Sequence, residues 1–365
     1  MQNRQATTAK VRTTGWGSAY PGRRGPFWPS LLGTWILLLA TAASGWAQQS
    51  QQASDLEPAE VLDGPPLVTC KAWAIADGRT GELLFGHRED QQLDNASTTK
   101  MMTAWLVLQL AQKHPEIMDD EVVFSKRADG TSGSTAGIRE GERLSVRELL
   151  YGLLLPSGND ASVALAEHFG GRFAAAEETA DKSETRAGGG GDKDSSEQVE
   201  KKPTKGADDK EGPAADEALE RFVAEMNREA ERLGMKNTAY KNPHGLTAKG
   251  HGSSARDLLI LARAALADES FRRYVATREH RAELAAADGA KRELACKNTN
   301  RLLRIAGYDG VKTGTTGAAG ACLVSSGRRG EDHLLVVVLG ATSPDARYVD
   351  SRNLFRWAWQ QRGHK

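Results

Sequence analysis

Between positions 98 and 110 the chain carries Met101, Met102, Ala104, Trp105, Leu106, Val107, Leu108 and Leu110, a helical stretch that is apolar around its whole circumference. A helix with a single apolar stripe can lie on a surface, but one that is apolar on every side must be surrounded by other elements. The remainder of the chain therefore has to wall in a buried central helix.

The walls are readable on both sides of it. Residues 68–76, the turn Asp77-Gly78-Arg79-Thr80-Gly81 and residues 82–85 spell strand, glycine-rich turn, strand. Helices follow at 145–155 and 160–169, broken at Pro156-Ser157-Gly158, then at 214–233 and from Ser254 to position 267. The last third is strand-rich, at 308–315, 319–326 and 334–341, and a final helix with Trp357 and Trp359 is expected to start at Ser343-Pro344, a good cap followed by a proline in the first helical position. Strands at both ends with helices between them predict an α/β (α+β) fold whose sheet is closed by the two ends of the domain. No internal repeat is visible.

Two segments stand outside this pattern. Residues 177–213 are dominated by Gly, Asp, Glu, Lys and Ser, with Val199 as their sole large apolar residue. Burial there cannot offset chain entropy, so the segment is expected to be a disordered insertion within one domain; a linker between two domains is the alternative. The first 47 residues place Arg23 and Arg24 before the apolar run 31–40 and a small-residue exit at Ala47, the pattern of a secretory signal, with an uncleaved anchor as the alternative. Residues 48–66 then read as a polar linker and 67–365 as the folded domain.

Composition removes several functions. The 48 Lys+Arg balance 48 Asp+Glu, and without the first 47 residues the chain is mildly acidic, which excludes a dedicated nucleic-acid binder. Cys70, Cys296 and Cys322 are too few for a disulfide scaffold and too scattered for a zinc ribbon; they read as buried small hydrophobes, although one pair could oxidise in an exported protein. The histidines show no HExxH spacing, so no metal ligand set is visible and no cofactor is implied.

Chemistry is suggested by three short patterns. Ser97 and Lys100 are one turn apart at the start of the buried helix, so hydroxyl and amine share a face. A serine becomes a nucleophile when a neutral amine can take its proton, and desolvation or a nearby cation keeps a lysine neutral. Ser97 alone also fits an ordinary helix cap. Ser157-Gly158-Asn159 lies on the loop between helices, where Ser157 can relay a proton and the Asn159 amide can bind a peptide carbonyl. Lys312-Thr313-Gly314 lies on an expected strand, where a cation and a hydroxyl can hold a substrate carboxylate or shift the Lys100 pKa and Gly314 leaves room for a substrate backbone; a strand end with an exposed lysine is the plainer reading. Ser351-Arg352-Asn353 repeats the second pattern inside the last helix and reads as a solvated helix face.

In this order the patterns resemble the motifs of penicillin-interacting serine enzymes. With Ser157-Gly158-Asn159-Asp160-Ala161, Asn242-Pro243-His244-Gly245-Leu246 and Ser253-Ser254-Ala255-Arg256-Asp257, the chain resembles the serine D-alanyl-D-alanine carboxypeptidases, the low-molecular-mass penicillin-binding proteins, from about 66 to 362 apart from the insertion. The resemblance implies a β-lactamase/transpeptidase-like fold, an antiparallel sheet of N- and C-terminal strands flanked by helices with a helical lobe. It implies Ser97 as nucleophile, Lys100 as general base and Ser157 as proton relay. Asn159, Lys312 and Thr313 would contact substrate, and the backbone N–H groups of Ser97 and Thr315 would form the oxyanion hole. Arg347, in the first turn of the last helix, would bind the substrate carboxylate; a surface helix arginine is the plainer reading of it.

The implied partners are peptidoglycan stem peptides and β-lactam antibiotics, in the periplasm or another extracytoplasmic compartment, with no nucleic acid and with a membrane only if the N-terminal segment stays uncleaved. Many relatives carry a C-terminal all-β domain and an amphipathic membrane-surface helix, and neither is expected here. A D,D-endopeptidase, a β-lactamase and a non-catalytic wall-binding or β-lactam-sensing module are the alternative functions.

Overall fold

In the computed structural model residues 64–184, 213–286 and 288–364 are described. The expected signal at 1–47, most of the linker and the core of the insertion lie outside them.

The hairpin β1 (Ala72–Asp77) and β2 (Leu83–His87) opens the domain, its turn held by the Asp77 carboxylate, which accepts from the Arg79 and Thr80 N–H groups. Strand β1 starts later than position 68, because the preceding segment is tied elsewhere: the N–H and hydroxyl of Thr69 donate to the buried Asp350 carboxylate. A 3-10 turn at Ala96–Thr99 leads into the central helix α1 (Lys100–Lys113), buried from Lys100 to Leu108. Then come β3 (Glu121–Val123), the short α2 (Lys126–Asp129), β4 (Arg143–Ser145), α3 (Val146–Leu154) and α4 (Asn159–Glu184). Beyond the insertion follow α5 (Pro213–Leu233), α6 (Ala255–Ala267), α7 (Glu269–Ala276), β5 (Glu279–Ala285) and β6 (Lys291–Lys297). The chain finishes with β7 (Tyr308–Thr316), β8 (Gly320–Arg329), β9 (Asp332–Ala341) and α8 (Ala346–Gln361).

The main sheet is antiparallel in the order β2-β1-β9-β8-β7, so strands from the two ends of the domain pair at its centre, Ala72 opposite Leu339 and Asp77 opposite Leu334. Successive side chains of a strand point to opposite faces. Trp73, Ile75, Leu334, Val336 and Val338 accordingly pack under α8 against Leu354, Phe355, Ala358 and Trp359. Ala72, Ala74, Ala76, Leu335, Val337 and Leu339 face the other way, into the large core built around α1. Helices α4 and α5, which flank the insertion, meet through Phe173 and Phe222, whose rings are 5.6 Å apart.

Several expectations need correction. A second antiparallel sheet, β3-β4-β5-β6, was not expected. Helix α4 runs on to Glu184, into the segment read as an insertion, of which 185–212 lie outside the described residues. Helix α8 starts at Ala346, two residues beyond Pro344, although the Ser343 hydroxyl still accepts from the Ala346 N–H at 3.0 Å, as a cap would. Ser351 is buried, not solvated, and its hydroxyl pairs with that of Ser325 at 2.9 Å, because its face of α8 lies on β8. The three cysteines, by contrast, are buried as expected, and all are free. No helix among the described residues is long and apolar enough to cross a membrane.

Candidate active site

Ser97 sits within the 3-10 turn that precedes α1. Residues i and i+3 eclipse in such a turn, which stacks Ser97 against Lys100 and puts Lys100 Nζ 2.9 Å from Ser97 Oγ. The turn is held from behind by Asn95, whose side-chain amide donates to the Thr98 and Thr99 hydroxyls. Ala96 adopts a left-handed φ of 47°, a conformation that costs a residue with a Cβ about 1 kcal/mol. It is clamped by the 241–247 loop: a Cβ on Gly245, itself at φ 91°, would lie 1.9 Å from the Ala96 carbonyl oxygen. A glycine is required there by close approach and by conformation together.

Lys100 is fully buried and has three oxygen neighbours: Ser97 Oγ, Asn159 Oδ1 at 2.6 Å and the His244 carbonyl at 2.8 Å. An amide oxygen and a backbone carbonyl can only accept. A neutral amine therefore directs its two N–H bonds at those acceptors and keeps its lone pair for the hydroxyl proton of Ser97. Burial pushes the proton affinity of Lys100 well below the ordinary lysine range, the charge of Lys312 pushes it further, and Asp160 opposes them.

Ser157 lies on the loop between α3 and α4, after Leu155 and Pro156, with φ 71°, again left-handed. Its hydroxyl accepts from Lys312 Nζ at 2.8 Å, and that ammonium also donates to the Thr313 carbonyl at 3.1 Å. Lys312 is fully buried on β7, where burial first and Arg347 second lower its pKa to about 7. Strand β7 comes close to the nucleophile turn because Gly314 lacks a side chain: a Cβ there would lie 2.8 Å from the Ser97 backbone nitrogen. Thr313 is buried with its hydroxyl 2.7 Å from that of Thr299, and Thr315 is exposed beside it.

Arg347 is buried, not a surface helix residue, and reaches β7, donating from Nη1 to the Gly314 carbonyl at 3.1 Å and to Thr315 Oγ1 at 2.9 Å. Its Nε is buried without a partner, and no carboxylate among the described residues lies within ion-pair distance of it. A buried guanidinium with no carboxylate partner, beside a strand edge, has the charge and the free donor to receive an anion.

Ser97, Lys100, Ser157, Asn159, Lys312, Thr313, Thr315 and Arg347 are thus linked by contacts running from α1 through α4 and β7 to α8. The Asn159 amide differs from its expected freedom to bind a peptide carbonyl: Oδ1 takes Lys100 and Nδ2 donates to the Ser132 carbonyl at 2.7 Å, leaving one amide hydrogen. Two contributors were not singled out from sequence, and a third lies in the 242–246 motif, to which the sequence assigned no role. The His244 carbonyl is a backbone group, presented by a loop that the Asn242 side chain folds through the His244 and Gly245 N–H groups. Thr299 and the 131–137 loop carry no periodicity; for the loop the available signal was its run of Ser, Thr and Gly.

Comparison with known proteins gives one answer. Residues 60–176 and 216–343 match the family model described as D-alanyl-D-alanine carboxypeptidase. The chain is 32% identical over 328 residues to the D-alanyl-D-alanine carboxypeptidase DacF of Bacillus subtilis, covering 89% of this chain and 69% of that protein. It is 31% identical over 304 residues to DacD of Escherichia coli, covering 81% of this chain and 64% of the relative. Among solved structures, the Streptomyces K15 DD-transpeptidase superposes with a TM-score of 0.66 at 28% identity, over 81% of this chain and 99% of that one. Penicillin-binding protein 6B of Escherichia coli gives 0.61 at 30% identity, over 83% and 81%.

Proposed function

The chain belongs to the D-alanyl-D-alanine carboxypeptidase family, and from that premise we propose that it is an exported serine carboxypeptidase that removes the terminal D-alanine of peptidoglycan pentapeptides and is acylated by penicillins. The observation that carries this reading is the fully buried Lys100 amine, 2.9 Å from Ser97 Oγ and facing acceptor-only oxygens on its other sides.

Neutral Lys100 takes the Ser97 proton as Oγ attacks the carbonyl carbon of the penultimate D-alanine. The negative charge that develops on the carbonyl oxygen is received by the backbone N–H groups of Ser97 and Thr315, a role supported by the close approach of β7 to Ser97 at Gly314. As the C–N bond breaks, Ser157 passes its proton to the departing amine and is reprotonated from Lys312, 2.8 Å away. The proton held by Lys100 makes good that loss. Water then attacks the acyl carbon, Lys100 takes a proton from it and returns one to Ser97 Oγ, and the shortened peptide leaves as a carboxylate. Arg347 and Thr313 hold the carboxylate of the terminal D-alanine; the unpaired, buried guanidinium supports this. The one amide hydrogen left on Asn159 binds a substrate carbonyl.

A pentapeptide on peptidoglycan lies outside the cytoplasm, and the basic, apolar and small-residue pattern of 1–47 supplies the export signal that such a substrate requires. The test is release of D-alanine from a pentapeptide ending in D-alanyl-D-alanine. The full chain is expected to release it, and Ser97→Ala to lose on the order of 10⁴-fold in rate. Equal release by both proteins would overturn the reading.

A further inference from the structure

The two ends of the Asn159 amide are nearly the same size, and only their hydrogen bonds decide which of them faces Lys100. Turned over, the amide would aim an N–H at Lys100 Nζ, and the lone pair meant for the Ser97 proton would be occupied. What prevents this is Ser132, whose carbonyl accepts from Nδ2 at 2.7 Å and would repel Oδ1. Ser132 belongs to a loop with exposed side chains, which has little packing to hold it.

Besides the Asn159 amide itself, two side chains hold the loop: Arg292, whose Nη2 donates to the Gly137 carbonyl at 2.7 Å, and Asp160, which makes most of the contacts. Asp160, buried in the first turn of α4, accepts from Thr135 Oγ1 at 2.7 Å, from the Ala136 N–H at 2.9 Å and from the Gly137 N–H at 3.1 Å. A second tie closes the ring, since the Asn159 N–H donates to the Ser134 carbonyl at 2.7 Å. Gly158 leaves the necessary room: a Cβ there would lie 2.4 Å from Asp160 Oδ1 and 2.9 Å from the Ala136 nitrogen.

We propose that Asp160 is a positioning residue for the reacting lysine, pinning the 131–137 loop so that Ser132 fixes the Asn159 amide with its oxygen toward Lys100. The inference rests on Lys100 being the general base. Asp160 also acts through its charge, because no cation among the described residues lies within ion-pair distance of this buried carboxylate. The groups that bear on Lys100 are Lys312 from β7, which disfavours its proton, Asp160 from α4, which favours it, and His244 from the 241–247 loop, which burial and Lys100 itself keep neutral. Arg347 of α8 acts on Lys312.

The experiment is the rate of Ser97 acylation by a fluorescent penicillin from pH 4 to 10, with melting temperature recorded, for the full chain, Asp160→Asn and Thr135→Val. Asp160→Asn is expected to slow acylation by roughly tenfold to a hundredfold through misorientation. Its acid limb is expected to move to lower pH, since Lys100 loses a neighbouring negative charge. Thr135→Val, which loosens the loop and keeps the charge, should slow acylation less and leave the limb in place. A wild-type rate and limb in Asp160→Asn would overturn the proposal, as would slower acylation that only parallels a lower melting temperature with the limb unmoved. If Asp160→Asn does not fold, a wild-type rate in Thr135→Val overturns it and a slowed one supports it. Failure of the unmodified chain to acylate at Ser97 would instead remove the functional reading on which the inference rests.

Discussion

Lys100 and Lys312 are both fully buried amines, yet the proposed mechanism gives them opposite work, and their partners support the division. Lys100 faces one hydroxyl and two obligate acceptors, which suits a base; Lys312 donates to Ser157 and to a backbone carbonyl, which suits a proton source. Burying Lys312 has a stability cost with a definite pH dependence. Its pKa falls from 10.5 in the unfolded chain to about 7 in the fold. The unfolded state therefore binds more protons between those two values, and stability rises with pH across that window by up to about 1.4 kcal/mol per unit. The penalty is fully present below pH 7. Thermal melts should show the advantage of Lys312→Met over the parent shrinking from pH 7 to pH 10; a constant gap would mean that the fold does not lower the proton affinity of Lys312. Arg347 makes a separate prediction. Because it has no carboxylate partner among the described residues, Arg347→Ala removes an anion site without orphaning an acid. Its kcat/KM on a peptide with a free C-terminal carboxylate should fall by on the order of 10²-fold, with little change on the C-terminal amide. Equal losses on both would count against a carboxylate role.

At the scale of elements, the site depends on how closely β7 lies to the 3-10 turn at Ala96–Thr99. A methyl at position 314 would meet the Ser97 nitrogen at 2.8 Å, Ala96 Cβ at 3.0 Å and the Asn95 carbonyl at 3.1 Å. Gly314→Ala should push strand and turn apart and cut acylation by on the order of 10²-fold, with the fold retained by circular dichroism, since a displacement of about 1 Å costs that much. Unchanged acylation would show that the contact is not needed. Elements of this kind were legible to very different degrees. Helix α1 could be read because it is apolar all round, and β9 because Leu334 to Leu339 form an unbroken apolar run that only a strand covered on both faces can use. The second sheet could not. Strands β3 and β4 are three residues long, and β5 and β6 bury only Ala282, Leu284, Leu294 and Cys296 among charged neighbours, an alternation too sparse to separate from a solvated loop. In the site, side chains were legible from their spacing, whereas the His244 carbonyl, inside a motif that gives no hint of its role, and the 131–137 loop, marked only by its run of Ser, Thr and Gly, act largely through backbone groups.

Across the whole molecule, residues near 97, 157, 312 and 347 are joined because strands from both ends of the domain share one sheet and α1 runs through the core beside it. Order along the chain, more than any single motif, is what made the assembly readable, since each pattern taken alone has an ordinary structural explanation. The chain spans 69% and 64% of the two curated relatives compared, so the common part is this sheet-and-helix body. The measurement that bears most directly on the account is intact-mass and peptide mapping of the protein after incubation with a penicillin. One penicilloyl group per chain is expected, on the peptide containing Ser97 and absent from Ser97→Ala. A folded protein that gains no adduct, or carries it on another residue, would contradict the pairing of Ser97 with a neutral Lys100 on which every step depends.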